Sequence, residues 1–300
     1  MDPDRYLDRI GLDAAAVDAA DRETLERLQR AHVTSVPFET LSITGDPFGP
    51  RDGEDVSLDP ARLYEKIVER RRGGFCYELN GLFGRLLRHL GFDPDRVAAR
   101  VVNDGTARPP ANHLTHVVEF DRRYVVDVGM GTPTMRRATP LDGTVRKDAA
   151  GVEWRVVESD RPDAAYVSQY RTPGEDGEAD GDDESDQSDG ADGWSDRYVF
   201  SDVPRDRSYF AATCDFLATA PESPFTGDPV VTIATERGHK RLSTETLTVY
   251  ADGGKRERSV DPEEWHDVLE TEFGLRTPPP SSDRPDATRR ARVTRLPDVL

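Results

Sequence analysis

The sequence contains few cysteines and few lysines, and it has no long apolar run. Two of its 300 residues are cysteine, Cys76 and Cys214, so it could form at most one disulfide. The first residues lack the basic region and apolar run of a secretory leader. No stretch of about 18 apolar residues predicts a transmembrane helix. We therefore expect no membrane association and reduced thiols, as in a cytoplasmic protein.

Acidic residues outnumber basic ones by 58 to 40, which gives a net charge of −18. Four of the basic residues are lysine and the remainder are arginine. Such a composition is expected of a halophilic protein, one that stays soluble in concentrated salt. The charge argues against nucleic acid as a partner, because its phosphates would be repelled. An anionic ligand would need a locally basic or backbone-lined site.

The pattern of the chain predicts an α+β protein in three parts. Residues 1–92 are predicted to be helical, and residues 93–205 contain short Val-rich segments typical of antiparallel strands in a small barrel. Residues 206–275 combine strands with a helix, and residues 276–300 are predicted to be a loose tail. Residues 172–196 are almost free of apolar side chains and predict a disordered acidic insertion. Its carboxylates lack the spacing of a calcium loop, so we predict no metal site.

Capping residues predict where several helices begin. Asp21 or Thr24 is expected to cap a helix that ends before Pro37. The segment 59–70 begins with an Asp-Pro pair, which is typical of an N-cap followed by the first helical residue. Asp261, also followed by proline, is expected to begin a helix near the C-terminal end.

The stretch 72–91 places Cys76 after two glycines and at the start of a predicted helix. Apolar residues recur at three- and four-residue steps up to Leu90, and Gly91 is a stop signal. The positive end of the helix dipole would favour a thiolate at Cys76. The alternative is a buried, unreactive thiol, as free cysteines often are. The helix pattern alone leaves both interpretations open.

A reactive cysteine needs a base, and six histidines are available. His89 lies on the same predicted helix as Cys76 but about 20 Å farther along its axis, which is too far. Three histidines lie in polar or charged segments and are predicted to be surface residues: His32, His239 and His266. His113 and His116 remain, and both lie on a predicted strand.

Asp127 lies on the next predicted strand, in the Val-rich segment YVVDVG. A buried carboxylate is costly unless it has a partner, which would be a histidine across the hairpin or a backbone amide. A two-residue turn at 121–122 would set His116 opposite Asp127. A three-residue turn at 121–123 would put His113 on the same face as Asp127 and turn His116 away. The turn has no glycine, which disfavours the two-residue form.

These motifs resemble those of the arylamine N-acetyltransferase family. RGGFCYELN, from Arg72, matches the family signature RGGxC-x-E-x-N, and residues 28–43 match its early PFE segment. Residues 127–131, DVGMG, are similar to its DVGFG turn, with Met130 where an aromatic residue is usual. Residues 221–225 and 263–275 resemble two later segments of the family. The likeness covers nearly the whole chain, apart from the acidic insertion.

The resemblance implies a helical bundle, a central antiparallel β-barrel and an α/β lid, with the Cys-His-Asp arrangement of papain-like and transglutaminase-like folds. It implies that acetyl-CoA is the donor. The acetyl group would pass through a Cys76 thioester to an arylamine, hydrazine or hydroxylamine. Backbone N–H groups near Cys76 are expected to hold the oxyanion. The resemblance favours His113 over His116, because the spacing from His113 to Asp127 is closer to that of the family.

The resemblance also implies binding residues. Gly129 and Gly131 are candidates for the approach of backbone donors to the CoA diphosphate. Phe38, Met130 and Phe225 match positions that line the acceptor pocket, with ordinary core packing as the alternative. Two other functions use the same triad: a cysteine hydrolase, and an amide-forming acyltransferase with another acyl donor. A third interpretation is a binding protein whose triad has decayed.

Overall fold

The computed structural model describes residues 1–49, 53, 56–172 and 193–276. The α-helices are α1 (Pro3–Arg9), α2 (Arg22–Ser35), α3 (Leu41–Thr44), α4 (Pro60–Tyr64), α5 (Cys76–His89), α6 (Ala211–Thr219) and α7 (Trp265–Phe273). A π-helical turn, Glu65–Glu69, continues α4. Short 3₁₀ turns are Ala14–Ala16 and Arg207–Phe210. No helix in these ranges is long and apolar enough to cross a bilayer.

The strands are β1 (Phe38–Glu39), β2 (Pro94–Asn103), β3 (Thr106–Ala107), β4 (His113–Glu119), β5 (Arg123–Val126), β6 (Thr139–Pro140), β7 (Arg146–Lys147), β8 (Glu153–Glu158), β9 (Tyr166–Arg171), β10 (Ser195–Pro204), β11 (Val231–Ala234), β12 (Gly238–Leu242), β13 (Thr246–Ala251) and β14 (Gly254–Ser259). They form two antiparallel sheets. The larger sheet follows the order β6-β5-β4-β2-β10-β9-β8-β7, with β3 paired to β2.

Capping residues account for the starts of α2 and α4. The Asp21 carboxylate accepts a hydrogen bond from the Thr24 backbone N–H at 2.8 Å, so Asp21 is the N-cap of α2. The Asp59 carboxylate accepts from two backbone N–H groups of α4, as predicted. The prediction for the last helix was wrong at its beginning. Residues 261–264 form a turn, and α7 begins only at Trp265.

The larger sheet curls into a nearly closed barrel, because β6 returns beside β8. The barrel interior is filled by apolar and aromatic side chains that include Val97, Trp154, Tyr198 and Phe200. The predicted antiparallel barrel and α+β class are therefore confirmed. Helix α5 packs on the outside of this barrel against β4, so closely that a Cβ added at Gly84 would clash with a ring on that strand.

The second sheet has the order β1-β11-β12-β13-β14 and packs against α7. Its first strand comes from the N-terminal part of the chain, where Phe38 pairs with Thr232. The segment after α2 is therefore hydrogen-bonded to the C-terminal sheet. The division of the chain at residues 92 and 205 stays a prediction.

Most of the predicted acidic insertion, residues 173–192, lies outside the described residues, as does the tail from residue 277. The described end of the insertion differs from the prediction. Trp194 is buried, and the guanidinium groups of Arg155 and Arg171 lie 4.2 and 4.9 Å from the centre of its ring. Strand β10 then begins at Ser195. The predicted boundary at residue 196 was therefore placed too late.

Candidate active site

Cys76 is the first residue of α5, and its side chain is only 3% exposed. Its Sγ lies 3.9 Å from the carbonyl oxygen of Asn112, which immediately precedes β4. The thiol therefore lies beside the start of the strand that carries His113.

Burial raises the pKa of the Cys76 thiol well above its ordinary value, and the charge of Asp127 acts in the same direction. A hydrogen bond from the Tyr77 backbone N–H opposes them and is the weaker influence. The loss of water thus opposes the effect of the helix terminus, and the expectation that the helix start favours a thiolate stays a prediction. A base must remove the proton when the sulfur attacks.

His113 and Asp127 form a buried hydrogen-bonded pair. Nε2 of His113 lies 2.6 Å from Oδ2 of Asp127, and both side chains are almost completely buried. The ring centre of Tyr198 lies 5.2 Å from that of His113 inside the barrel. Sequence reasoning did not single out Tyr198, which comes from a strand far away in the chain. With Nε2 engaged by Asp127, Nδ1 is the ring nitrogen left for proton transfer.

The β4–β5 hairpin decides which histidine meets Asp127. Glu119 pairs with Arg123 and His116 with Val126, so the three-residue loop comprises residues 120–122. The expected loop length was correct, but its position, 121–123, was one residue too late. This error shifts the ladder by two positions, which leaves every side chain on its predicted face. His116 points to the opposite face, where it packs against Gly84 of α5.

The Asp127 carboxylate accepts two further hydrogen bonds. Its Oδ1 accepts from Nδ2 of Asn80 and from the backbone N–H of Gly129, both at 2.9 Å. Burial alone would raise the pKa of Asp127, but the charge and hydrogen bond of His113, with these two donors, lower it to about 2. Asp127 is therefore ionised at neutral pH and holds the His113 ring in one orientation.

Asn80 joins three segments of the site. It lies four residues after Cys76 and therefore on the same side of α5. Its Nδ2 also donates to the Leu114 carbonyl oxygen at 2.6 Å, and its Oδ1 accepts from the Val128 N–H at 3.0 Å. One side chain thus fixes the cysteine helix to β4 and to the turn after Asp127. The four-residue spacing was the sequence signal for this role.

Gly129 lies against the cysteine. Its N–H is engaged by Asp127, and a Cβ at this position would lie 2.8 Å from the Cys76 backbone. Gly129 is therefore needed for close packing against the cysteine, and its expected part in CoA binding stays a prediction. Gly131 is more open: an added Cβ would make ordinary contacts with Thr232 and Phe38, the nearest at 3.7 Å.

The expected acceptor-pocket residues do not all come together. The ring of Phe225 lies 6.3 Å from that of Phe38 and 6.0 Å from that of Phe75, the residue before Cys76. Phe38 and Phe225 are only partly buried, so they form an aromatic surface near the thiol. Met130 is 8% exposed and packs with the barrel interior instead.

A buried ion network supports the loop before Cys76, and sequence reasoning missed it. Nζ of Lys66 lies 2.6 Å from Glu78 and 3.7 Å from Glu39, and Arg72 lies 3.2 Å from Glu39. Glu78 also accepts a hydrogen bond from the Phe75 N–H at 3.3 Å. These charges fix the RGGFC segment in place. The sequence signal that could have indicated this ion network was the presence of carboxylates inside otherwise apolar segments.

The prediction that His32 is a surface residue was wrong. Its ring is fully buried, with ring centres 5.9 Å from Tyr6 and 5.3 Å from Phe83. Burial lowers the pKa of His32 to about 3. His32 follows Leu28 by four residues and therefore shares the apolar side of α2. His239 and His266 are partly exposed, and His266 bonds to Asp46 at 2.7 Å.

Comparisons with known proteins agree with this architecture. A family model described as N-acetyltransferase matches residues 21–279. The chain is 32% identical to the arylamine N-acetyltransferase of Mycolicibacterium smegmatis over 259 residues, which is 84% of each chain. It is 30% identical to a pineal gland arylamine N-acetyltransferase isozyme of Gallus gallus over 258 residues, 83% of each.

Solved structures show the same fold. The Mycobacterium smegmatis arylamine N-acetyltransferase superposes with a TM-score of 0.75 at 29% identity, covering 92% of both chains. The Mycobacterium marinum enzyme, solved in complex with CoA, gives a TM-score of 0.74 at 29% identity, covering 91% of this chain and 93% of that one. The fold and the buried cysteine site place the chain among the acyl-transferring enzymes. It belongs to the arylamine N-acetyltransferase family.

Proposed function

We propose that this protein transfers an acetyl group from acetyl-CoA to an arylamine through a thioester on Cys76. His113 acts as the base and Asp127 holds it. The observation that carries this proposal is the buried 2.6 Å bond between His113 and Asp127 beside a cysteine at a helix start. The family of the chain supports the same activity, and so does the CoA complex of the Mycobacterium marinum relative.

The first half-reaction forms the acetyl-enzyme. Nδ1 of His113 takes the proton of the Cys76 thiol as Sγ attacks the acetyl carbon of acetyl-CoA. Backbone N–H groups at the start of α5 stabilise the oxyanion that forms. The carbon–sulfur bond to CoA breaks, and the CoA sulfur leaves with the proton from His113. The raised pKa of the thiol makes this coupled proton removal necessary.

The second half-reaction transfers the acetyl group to the acceptor. The amine nitrogen attacks the thioester carbon, His113 takes the amine proton, and that proton goes to Sγ as Cys76 leaves. The products are the acetylated amine, free CoA and the original enzyme. Deep burial of Cys76 protects the thioester from water between the two steps.

The aromatic surface near Cys76 is the proposed acceptor site. Phe38 and Phe225 present ring faces and edges suited to an arylamine ring. Hydrazines and hydroxylamines with an aryl group would bind in the same way. Met130 stays a candidate for the edge of this acceptor site, although its side chain packs toward the barrel interior. Gly129 and Gly131 stay candidates for letting backbone donors approach the CoA diphosphate, and Gly131 has the more open surroundings.

Mass spectrometry of the intact protein after incubation with acetyl-CoA, without an acceptor, tests the proposal. We expect one added acetyl group on Cys76, which an arylamine then removes as its N-acetyl product. A Cys214→Ala variant is the matched control and should acquire the same group. Acetylation of Cys214, or of neither cysteine, would contradict the proposal.

The hydrolase alternative differs only in the acceptor. It predicts that CoA is released continuously without an amine and that no acetylated arylamine accumulates. A transferase with another donor would load a different acyl-CoA faster than acetyl-CoA. Comparing acyl-CoA donors at equal concentration, with and without an arylamine, separates these functions.

The proposal includes activity in concentrated salt and a cytoplasmic location. The net charge of −18 with four lysines supports the first, and two free cysteines support a reducing compartment. At about 1 M salt the Debye length falls to about 3 Å, which suppresses repulsion among surface carboxylates. We expect the melting temperature and the acetylation rate to rise from dilute buffer to molar KCl. Equal values in both would contradict salt dependence.

A further inference from the structure

An arginine-lined cleft lies along one side of α5, next to β2 and β4. It has a volume of about 290 Å³. Its lining comes from α5, β2, β4 and the segments that begin α4 and precede α6. The charged and imidazole groups around it are Arg85, Arg88, His89, Arg96, Asp206 and Arg207. The floor is apolar and aromatic: Leu58, Pro60, Tyr77 and Leu114.

The cleft is separate from the thiol. Leu114 follows His113 on β4, so its side chain lies on the opposite face of the strand. Tyr77 follows Cys76 on α5 and is turned about 100° around the helix axis. Residues 77, 81, 85 and 88 follow one another at helical steps, so the cleft runs along one side of α5.

The arginines outnumber the carboxylates near this cleft: Asp206 lines it, and the charge of Arg207 lowers the pKa of nearby Asp59 after the stronger effect of backbone hydrogen bonds. Within the described ranges, none of Arg85, Arg88, Arg96 and Arg207 has a carboxylate oxygen within 4.0 Å, although many other arginines in these ranges do. Burial lowers the pKa of Arg96, and the charges of Arg88 and Arg207 lower it further, while Asp206 opposes them. The arginines repel one another at close range, and an anion bound between them would relieve that repulsion.

The guanidinium groups are partly fixed and keep donors for a ligand. Arg88 donates to the Pro94 carbonyl oxygen at 2.6 Å, and Arg207 donates to the Leu58 carbonyl oxygen at 3.2 Å. These bonds hold the two side chains at the rim. Nε of Arg96 is buried and has no hydrogen-bond partner among the residues that the structure describes. Nη1 of Arg96 donates to the Arg205 carbonyl oxygen at 3.4 Å, so Nε is the donor of this side chain that is open to an acceptor.

We propose that this cleft binds a small phosphate-bearing anion, a phosphate monoester or diphosphate with an apolar or aromatic body. Guanidinium groups match phosphate oxygens in charge and geometry, which explains four arginines around one cavity. The apolar floor with the Tyr77 ring accommodates the organic part of the ligand. The volume of about 290 Å³ suits a small molecule.

Titration calorimetry on the full-length protein at fixed KCl concentration tests this site with three probes: ADP, pyrophosphate and inorganic phosphate. The test variant is Arg85→Gln with Arg207→Gln, because both side chains are exposed and the protein should still fold. Each lost charged contact should weaken binding about tenfold or more. The matched control is Arg27→Gln with Arg256→Gln, which removes the same charge from exposed positions elsewhere and should leave the affinity unchanged.

The outcomes separate the possible sources of phosphate. Tighter binding of ADP than of pyrophosphate supports an organic phosphate, and equal binding supports an inorganic one. The site is refuted if no probe binds the wild-type protein, or if both double variants bind like the wild type. It is also refuted if acetyl-CoA displaces ADP and the Arg85→Gln, Arg207→Gln variant binds ADP like the wild type, which would place ADP at the donor site. Acetylation of Cys76 should be unchanged in the Arg85→Gln, Arg207→Gln variant, so this test is independent of the proposed function.

Discussion

Replacing Asp127 with asparagine tests how the His113 ring is held. Asparagine has nearly the same shape, so its oxygen should keep the hydrogen bonds from Asn80 and Gly129 that Oδ1 accepts now. Its NH₂ group then faces Nε2 of His113 in place of Oδ2. Nε2 must accept that hydrogen bond, so the ring proton moves to Nδ1. Nδ1 can then no longer take the proton of Cys76.

The expected loss follows from this change of tautomer. The comparable substitution in a Ser-His-Asp triad lowers kcat by about 10⁴. At about 1.4 kcal/mol for each factor of ten, this corresponds to about 5 kcal/mol in the activation free energy. The free energy of unfolding should fall much less, by about 1.5–3 kcal/mol for one charge-assisted hydrogen bond. Activity should therefore be lost while the protein stays folded.

The assay is the single-turnover rate of Cys76 acetylation by acetyl-CoA, followed by mass spectrometry, with thermal unfolding measured on the same samples. Asp148→Asn is a matched control. Asp148 is also buried and ion-paired, to Arg136 at 2.9 Å, but it has no contact with the triad. We expect that variant to lose stability and keep its acetylation rate. An Asp127→Asn rate within about tenfold of the wild type would refute the assigned role of the carboxylate.

Two further predictions concern burial and close packing. Burial lowers the pKa of His32 and His116 to about 3, so both are neutral when folded and take up protons when unfolded below about pH 6.5. The free energy of unfolding should therefore fall as pH decreases from 6.5 to 5, with a slope for each histidine that rises from about 0.7 to about 1.4 kcal/mol per pH unit. Urea unfolding should show a shallower pH slope for His116→Gln, and an equal slope would contradict this. Gly129→Ala should lower the melting temperature and slow Cys76 acetylation, whereas Gly131→Ala should leave the melting temperature unchanged. Equal melting temperatures for the two variants would show that close packing of Gly129 against the Cys76 backbone is not needed for stability.

The elements of the site could be predicted because each depends on short-range signals. The glycines before Cys76 and the apolar repeat after it indicate a helix start, and α5 begins at that residue. The Val-rich segments indicate β4 and β5, and alternation along a strand fixes which histidine shares the face of Asp127. An error of one residue in the turn did not alter that result, because the loop length was correct.

The remainder of the site depends on contacts between distant segments. The local sequence does not indicate that Phe38 pairs with Thr232 or that Tyr198 lies inside the barrel. The burial of His32 was missed because neighbouring charges concealed its apolar helix face. The raised pKa of the Cys76 thiol was missed for a similar reason: desolvation is a property of the assembled core and not of the helix start.

The most direct test of the account compares two histidine variants in one measurement. His113→Gln and His116→Gln are each incubated with acetyl-CoA without an acceptor, and acetyl-Cys76 is quantified by mass spectrometry. We expect His113→Gln to abolish acetylation, because the base that Asp127 holds is lost. We expect His116→Gln to retain most of it, because that ring faces α5. Retained acetylation in His113→Gln with loss in His116→Gln would contradict the assignment of the base.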